Sequence, residues 1–164
     1  MIRAVAFALL LLLGACGLQP MYGGGSTGHV TTGLGTIQVA PIPDRAGWLV
    51  RNALVDRLGG EVPDPAYRLE VELDDNITSF GIRGDSAATR ERRTLRARYR
   101  LVDLKTGEVV LDATAGSDAG IDIVSSEYAT VAAEQTALEN LAGIVADQIV
   151  ARLALYATRT AQAK

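Results

Sequence analysis

The chain has 164 residues, with 16 Lys+Arg against 19 Asp+Glu, a formal net charge of −3, one cysteine and one histidine. A mildly acidic balance gives no overall attraction for nucleic acid, so we expect no nucleic-acid partner. The length suits one domain with its own hydrophobic core, and a single cysteine cannot form an internal disulfide.

The first fifteen residues have the organisation of a secretory signal peptide. One positive charge, at Arg3, precedes the apolar run 4–13, and the small pair Gly14-Ala15 follows. The apolar run is shorter than the roughly 20 residues that a transmembrane helix needs. We therefore predict that residues 1–15 are removed, which takes away Arg3 alone among the charged residues and leaves a mature net charge of about −4.

The sequence LGAC at residues 13–16 resembles the bacterial lipobox. That resemblance implies acylation of the Cys16 thiol, cleavage before it, and an N-terminus carrying several acyl chains, which anchor a protein stably where one chain does not. The alternative is a plain secretory peptide, which would leave a free thiol in an oxidising compartment. Gly17 stands where enterobacterial lipoproteins retained in the inner membrane carry aspartate, which favours the outer membrane.

Residues 16–35 are predicted to form a flexible tether, since the stretch 23–35 reads GGGSTGHVTTGLG. The domain is predicted over residues 36–158, with a short tail at 159–164. It opens with a β-type run at 36–42. Asp44 is then placed to cap a helix over 46–58, where apolar residues recur every three or four positions.

Three strands follow, each with alternating apolar and polar residues. The first alternates from Tyr67 to Asp74, the second from Leu95 to Leu101, and the third, after a tight turn at 105–107, from Val109 to Ala115. The simplest arrangement is an antiparallel meander.

The register of the first two strands can be predicted from their charges. If Glu72 lies opposite Arg98, acidic residues face basic ones along one side, and Val71 lies opposite Tyr99 on the other. The further pairs expected are Glu70 with Arg100, Asp74 with Arg96, and Leu69 with Leu101. A slip by one residue would exchange the two faces and is strongly disfavoured.

From Ser125 onward the apolar residues follow helical spacing, which predicts a helix that reaches Thr158, with Ser125 or Ser126 as its cap. The expected element order is β-α-β-β-β-α. We therefore predict an α+β fold: a four-stranded antiparallel sheet, mixed at the N-terminal strand, with two helices packed on one face.

The sequence offers no catalytic constellation, and we predict no enzyme activity, cofactor or metal site. His29, the single histidine, lies in the tether, and acylation would occupy Cys16, which removes a thiol nucleophile or ligand. Asp74-Asp75 precedes a turn-forming asparagine at a predicted strand end, without the other ligands that a calcium site needs.

A basic cluster, six arginines within residues 90–100, stands out in an acidic protein. Three of them are expected to pair with the facing acids. Arg90, Arg92 and Arg93 lie outside the predicted ladder, near the loop 81–89, and show no evident partner. They are candidate contacts for a phosphate or carboxylate group, and a merely solvated basic loop is the alternative.

The mature N-terminal sequence CGLQPMYG, residues 16–23, resembles the start of the LPS-assembly lipoprotein family LptE, where Cys-Gly-Phe/Leu-x-Pro-Leu/Met-Tyr recurs. The order of strands and helices agrees with that family as far as Tyr156. The resemblance implies a non-enzymatic lipoprotein of the outer membrane that plugs the β-barrel LptD and assists lipopolysaccharide assembly. Its expected partners are LptD, lipopolysaccharide and the membrane, with the domain facing the periplasm or the barrel lumen.

Two other classes remain open. One is an accessory lipid-anchored binding subunit of another envelope transport system, which would not co-purify with LptD. The other is a secreted enzyme, which would need a pocket with perturbed ionisable groups.

Overall fold

The structure, a computed structural model, describes residues 34–82, 88–124 and 126–162. The elements run β1 (Ile37–Val39), α1 (Asp44–Leu58), β2 (Tyr67–Ile82), β3 (Ala88–Asp103), β4 (Val109–Asp122) and α2 (Glu127–Gln162). This order confirms the predicted β-α-β-β-β-α arrangement. The predicted signal peptide, the lipidation site at Cys16 and the tether as far as residue 33 lie outside the described residues.

The four strands form one mixed sheet in the order β1-β2-β3-β4. Strand β1 runs parallel to β2, and the other neighbours are antiparallel. The predicted register is confirmed at every expected pair, including Glu72 opposite Arg98 and Val71 opposite Tyr99. Strands β2 and β3 are each 16 residues long and continue well beyond the predicted ends.

Both helices pack on one face of the sheet, as predicted, and enclose a single apolar core. Val50 and Leu54 of α1, and Val145 and Ile149 of α2, are fully buried there. Helix α2 is long and apolar enough to cross a bilayer by length and composition. Its apolar stripe is used instead against the sheet and α1.

The predicted N-terminal cap is confirmed for α2 but not for α1. The Ser126 hydroxyl accepts a hydrogen bond from the Ala129 amide (3.4 Å), which confirms the predicted serine cap of α2. The predicted cap at Asp44 is wrong. Extended Pro43 occupies the cap position, its side chain makes no capping bond, and Asp44 already belongs to the first turn. Helix α2 also continues past Thr158 to Gln162.

The alternation predicted for β4 fails at its first residues. Leu101 pairs with Leu111, but Val102 pairs with Val109, so Val110 is an extra residue in a bulge. For the residues before Leu111, the bulge exchanges the side chains that face the helices with those that face away. Val109 is therefore half exposed, and not on the buried face as predicted.

Gly47 allows the chain before α1 to approach the helix closely. A Cβ atom built there would lie 2.6 Å from the Ile42 carbonyl oxygen, a backbone atom that cannot rotate away. We expect Gly47→Ala to lower the free energy of unfolding by about 2 kcal/mol, because this overlap outweighs the helix preference of alanine. Gly143→Ala in α2 is the matched control: its Cβ would meet one arginine nitrogen at 3.8 Å. We expect it to be neutral or stabilising in thermal unfolding, and equal behaviour of the two variants would contradict the close packing.

Candidate partner surface on the sheet

The face of the sheet away from the helices is charged along its whole length. We call it the outer face: it carries the even-numbered side chains of β2 and β3, and those of β4 beyond its bulge. Its acidic and basic residues, in chain order, are Arg68, Glu70, Glu72, Asp74, Arg90, Arg92, Arg96, Arg98, Arg100, Asp112, Asp118 and Asp122.

The arginines of β3 bridge the strands on either side. The Arg100 Nη2 atom lies 3.2 Å from Glu72 Oε1 and 3.5 Å from Glu70 Oε2. Arg98 donates to both carboxylate oxygens of Asp112 on β4, at 3.2 and 2.9 Å.

The register prediction was therefore right, but two of the ion pairs inferred from it were wrong. Arg98 bonds Asp112 rather than the directly opposite Glu72. Arg96 donates to the Ser117 carbonyl rather than to Asp74. A long arginine side chain reaches diagonal neighbours as easily as the opposite residue.

The bond between Arg98 and Asp112 also changes their titration. The hydrogen bond from Arg98 lowers the pKa of Asp112, and the same bond raises the pKa of Arg98. Both groups remain ionised over the physiological range. Because both are solvated, the pair fixes the direction of the side chains more than it stabilises the fold.

Arg93 lies on the opposite, helix-facing side of the sheet and is held internally. Its Nε and Nη2 atoms donate to the two carboxylate oxygens of Asp75, at 2.8 and 2.5 Å, and its Nη1 atom donates to the Glu134 carbonyl of α2 at 3.0 Å. Its side chain is only 13% exposed. The prediction that Arg93 lies outside the ladder without a partner is therefore wrong: Arg93 is paired within the sheet and joins the long hairpin to α2.

We expect Arg93→Gln to lower the free energy of unfolding by about 2 kcal/mol, because Asp75, itself 22% exposed, would lose its counter-ion. Arg90→Gln, on the same strand, removes the ion pair with Asp122, in which the two side chains are 64% and 75% exposed. We expect it to lower the free energy of unfolding by less than about 1 kcal/mol. Chemical denaturation of both variants measures the difference. Equal midpoints would show that the Arg93 bridge contributes no more than a surface pair.

Arg90 and Arg92 lie on the outer face near the far end of the hairpin. Arg90 Nε donates to Asp122 Oδ1 at 2.9 Å. Arg92 lies 3.9 Å from Asp118 and stacks over the Phe80 ring, 5.5 Å from its centroid. Both belong to β3 and have partners, so the prediction that they lie outside the ladder without a partner was also wrong. They nevertheless remain mostly exposed and keep donors for a further anion.

Phe80, the aromatic neighbour of these arginines, was not predicted from the sequence. It lies opposite Arg90 in the register and is about two-fifths exposed. Three further apolar residues toward this end are also exposed: Ile77 on β2, and Tyr128 and Val131 in the first turns of α2. Extending the β2–β3 alternation past Leu73 would have revealed Phe80.

This surface is suited to binding rather than to catalysis. It offers guanidinium groups, carboxylates and a few apolar side chains, arranged on rigid strands. Within residues 34–82, 88–124 and 126–162, no group of three or more potential metal ligands comes together.

Comparison with known proteins identifies the fold and the family. The model of the family "LptE: Lipopolysaccharide-assembly" matches residues 34–153. No curated protein matches the chain. Among solved structures, a Caulobacter crescentus CB15 chain described as a lipoprotein is similar at 28% identity with a TM-score of 0.67, covering 80% of this chain and 98% of that one.

Two more distant structures share the fold. Rare lipoprotein B from Shewanella oneidensis has 10% identity and a TM-score of 0.60, covering 76% of this chain and 96% of its own. A minor lipoprotein from Acinetobacter baumannii has 12% identity and a TM-score of 0.61, covering 74% and 92%. The family match spans most of the chain, so this chain belongs to the LptE family of lipopolysaccharide-assembly proteins.

Proposed function

We propose that this protein is an outer-membrane lipoprotein that fills the lumen of the β-barrel LptD and supports insertion of lipopolysaccharide into the outer leaflet. The observation that carries the proposal is the outer face, a charged surface on a sheet whose other side packs into the protein's own core from Leu69 to Leu73 on β2 and from Leu95 to Leu101 on β3. A large barrel encloses a polar, water-filled lumen unless something occupies it. A domain with a charged face can line such a lumen without exposing its core.

The direction of the chain gives the domain two distinct ends. The Thr36 carbonyl accepts hydrogen bonds from the Ala66 and Tyr67 amides, so the chain enters where β2 begins. The 16 residues of β2 then extend about 50 Å to the other end. With a lipid anchor at Cys16, the membrane-attached end and the end that carries Arg90 and Arg92 are well separated.

At that far end we propose that Arg90 and Arg92 contact anionic groups, either lipopolysaccharide phosphates or acidic residues of the barrel. Arg93 was part of the same hypothesis, but its donors are committed to Asp75 and Glu134. Its part in this proposal is to hold the hairpin against α2, so that the two exposed arginines are presented on a rigid strand.

The double variant Arg90→Gln/Arg92→Gln tests this contact. Charge-assisted bonds are worth about 1.5–3 kcal/mol each, and partial solvation reduces that value, so we expect about tenfold weaker binding to lipopolysaccharide or to the barrel. The advantage of the unmodified protein should shrink as salt is raised. Arg45→Gln/Lys105→Gln, which removes two charges elsewhere, is the control. If the double variant binds both ligands like the control, these arginines contact neither ligand and the proposal fails.

Purification of the tagged mature protein from outer membranes tests the proposed role. We expect LptD to co-purify as the major partner. Recovery of a different envelope transport complex in its place would favour the alternative, an accessory lipid-anchored subunit of that system. The non-enzymatic character of the proposal rests on the family match.

A further inference from the structure

Strand β4 forms one edge of the sheet, and its far half is open to a further strand. The sheet order ends at β4, and no strand within the described part of the chain lies beyond it. An uncovered edge presents backbone N–H and C=O groups to which another chain can bond. In β4 this stretch runs from Ser117 to Asp122.

The hydrogen bonds at Gly116 show which residues of β4 direct their backbone N–H and C=O groups away from β3. The Gly116 amide donates to Gln148 Oε1 (3.0 Å), and the Gln148 side-chain amide donates to the Gly116 carbonyl (3.3 Å). Gln148 thus acts as a substitute strand at that point. Because alternate residues of an edge strand share a direction, Asp118, Gly120 and Asp122 direct their backbone groups to the same open side.

The side chains along this stretch would accept a basic partner. Asp118 and Asp122 are 54% and 75% exposed, and each has its present arginine on the β3 side. Their carboxylates can accept further hydrogen bonds from the open side. Between them, a Cβ atom placed on Gly120 would meet nothing within 4 Å, so the outer face is open between the two carboxylates.

Charge disfavours a second copy of this chain as the occupant. Antiparallel self-pairing centred on Gly120 would cover the whole open stretch, and it would place Asp118 of each copy directly opposite Asp122 of the other. Like charges directly opposite each other destabilise a pair of strands. A strand with basic residues four positions apart would instead put a base beside each aspartate.

We propose that residues Ser117–Asp122 of β4 form a strand-addition site for an extended protein segment with two basic side chains four residues apart. Backbone hydrogen bonds to the outward groups of β4 give affinity, and the two aspartates select the basic partner. Gln148 ends the site at Gly116 and limits it to about six residues. The proposal does not depend on which envelope protein supplies the segment.

A synthetic peptide tests the site on the purified mature protein. The probe alternates valine and threonine and carries two lysines four positions apart. We expect it to bind, with amide NMR shifts concentrated at Asp118, Gly120 and Asp122. Replacing both lysines by glutamate, or methylating the backbone nitrogens that face β4, should weaken binding about tenfold or more. Failure of the lysine peptide to bind, or equal binding of the glutamate or methylated peptide, overturns the proposal.

Two substitutions of Gly120 distinguish a loss of hydrogen bonding at the edge of β4 from a loss of fold stability. Gly120→Pro removes an outward N–H that is not part of the β3–β4 ladder, so the protein should keep its melting temperature and bind the peptide about tenfold more weakly. Gly120→Ala keeps that N–H and should bind like the unmodified protein. Equal peptide affinity of both variants contradicts strand addition. Dimerisation of the peptide-free protein in sedimentation, lost in Gly120→Pro, would instead make a second copy the occupant and also overturn the proposal.

Discussion

Replacing Tyr99 with aspartate is expected to lower the free energy of unfolding by about 3 kcal/mol. Tyr99 is the largest fully buried side chain, 2% exposed, and lies between Val71 on β2 and Ala113 on β4. Burial raises the pKa of its hydroxyl, which shows how poorly this site would solvate a charge. Arg152 of α2 lies near enough to offset part of the cost, which is why we expect less than the penalty of a fully isolated charge.

Thr114→Asp is the control for the two faces of the sheet. Thr114 lies on the outer face, exposed and directly opposite Arg98, so an added carboxylate stays solvated and gains a basic neighbour. We expect its stability to change by less than about 0.5 kcal/mol. Urea denaturation of both variants gives the comparison. Equal loss of stability would contradict the assignment of the faces.

The second large effect is expected at the proposed lipid anchor. Cys16→Ser removes the thiol that the lipobox resemblance marks for acylation, and with it several acyl chains that each contribute about 0.8 kcal/mol per buried CH₂ group. We expect the variant to accumulate as precursor or in the soluble fraction, instead of partitioning with outer membranes.

Binding to LptD could keep some of that variant at the membrane, so the fractionation needs a second readout. Mass spectrometry of the N-terminal peptide separates acylated, cleaved and precursor forms. We expect acylated Cys16 in the unmodified protein and an unprocessed leader in the variant. Cleavage before residue 16 in the variant, together with unchanged partitioning, would contradict the lipobox interpretation.

The sequence predicted the sheet well where two signals agreed. Between Leu69 and Leu73, apolar alternation and charge complementarity specify the same register, and the structure has that register. Beyond Leu73 the apolar alternation weakens, because Asp75 and Ser79 occupy two of the helix-facing positions and only Ile77, between them, is apolar. The strand nevertheless continues to Ile82, held by pairing with β3 rather than by burial of its own side chains.

The wrong predictions for Arg90, Arg92 and Arg93 arose in the same way, because β3 begins well before the Leu95 at which it was predicted to start. Had β3 been extended back from Leu95, Arg93 would have fallen on the helix-facing side with it, and Arg90 and Arg92 on the outer face. Even so, the bond from Arg93 to the Glu134 carbonyl joins residues 41 positions apart and depends on how α2 crosses the sheet. The bulge at Val110 likewise could not be located from the sequence, because three consecutive apolar residues, Val109, Val110 and Leu111, do not show which of them is the extra one.

The most direct test of the proposed role is the ion conductance of LptD in a planar bilayer. The barrel from the same bacterium is reconstituted alone and then with the purified mature protein, and complex formation is verified by co-purification. If this protein fills the lumen, conductance should fall sharply when the complex forms. A verified complex that conducts like the empty barrel would contradict the proposal, because the protein would then bind LptD without occupying its lumen.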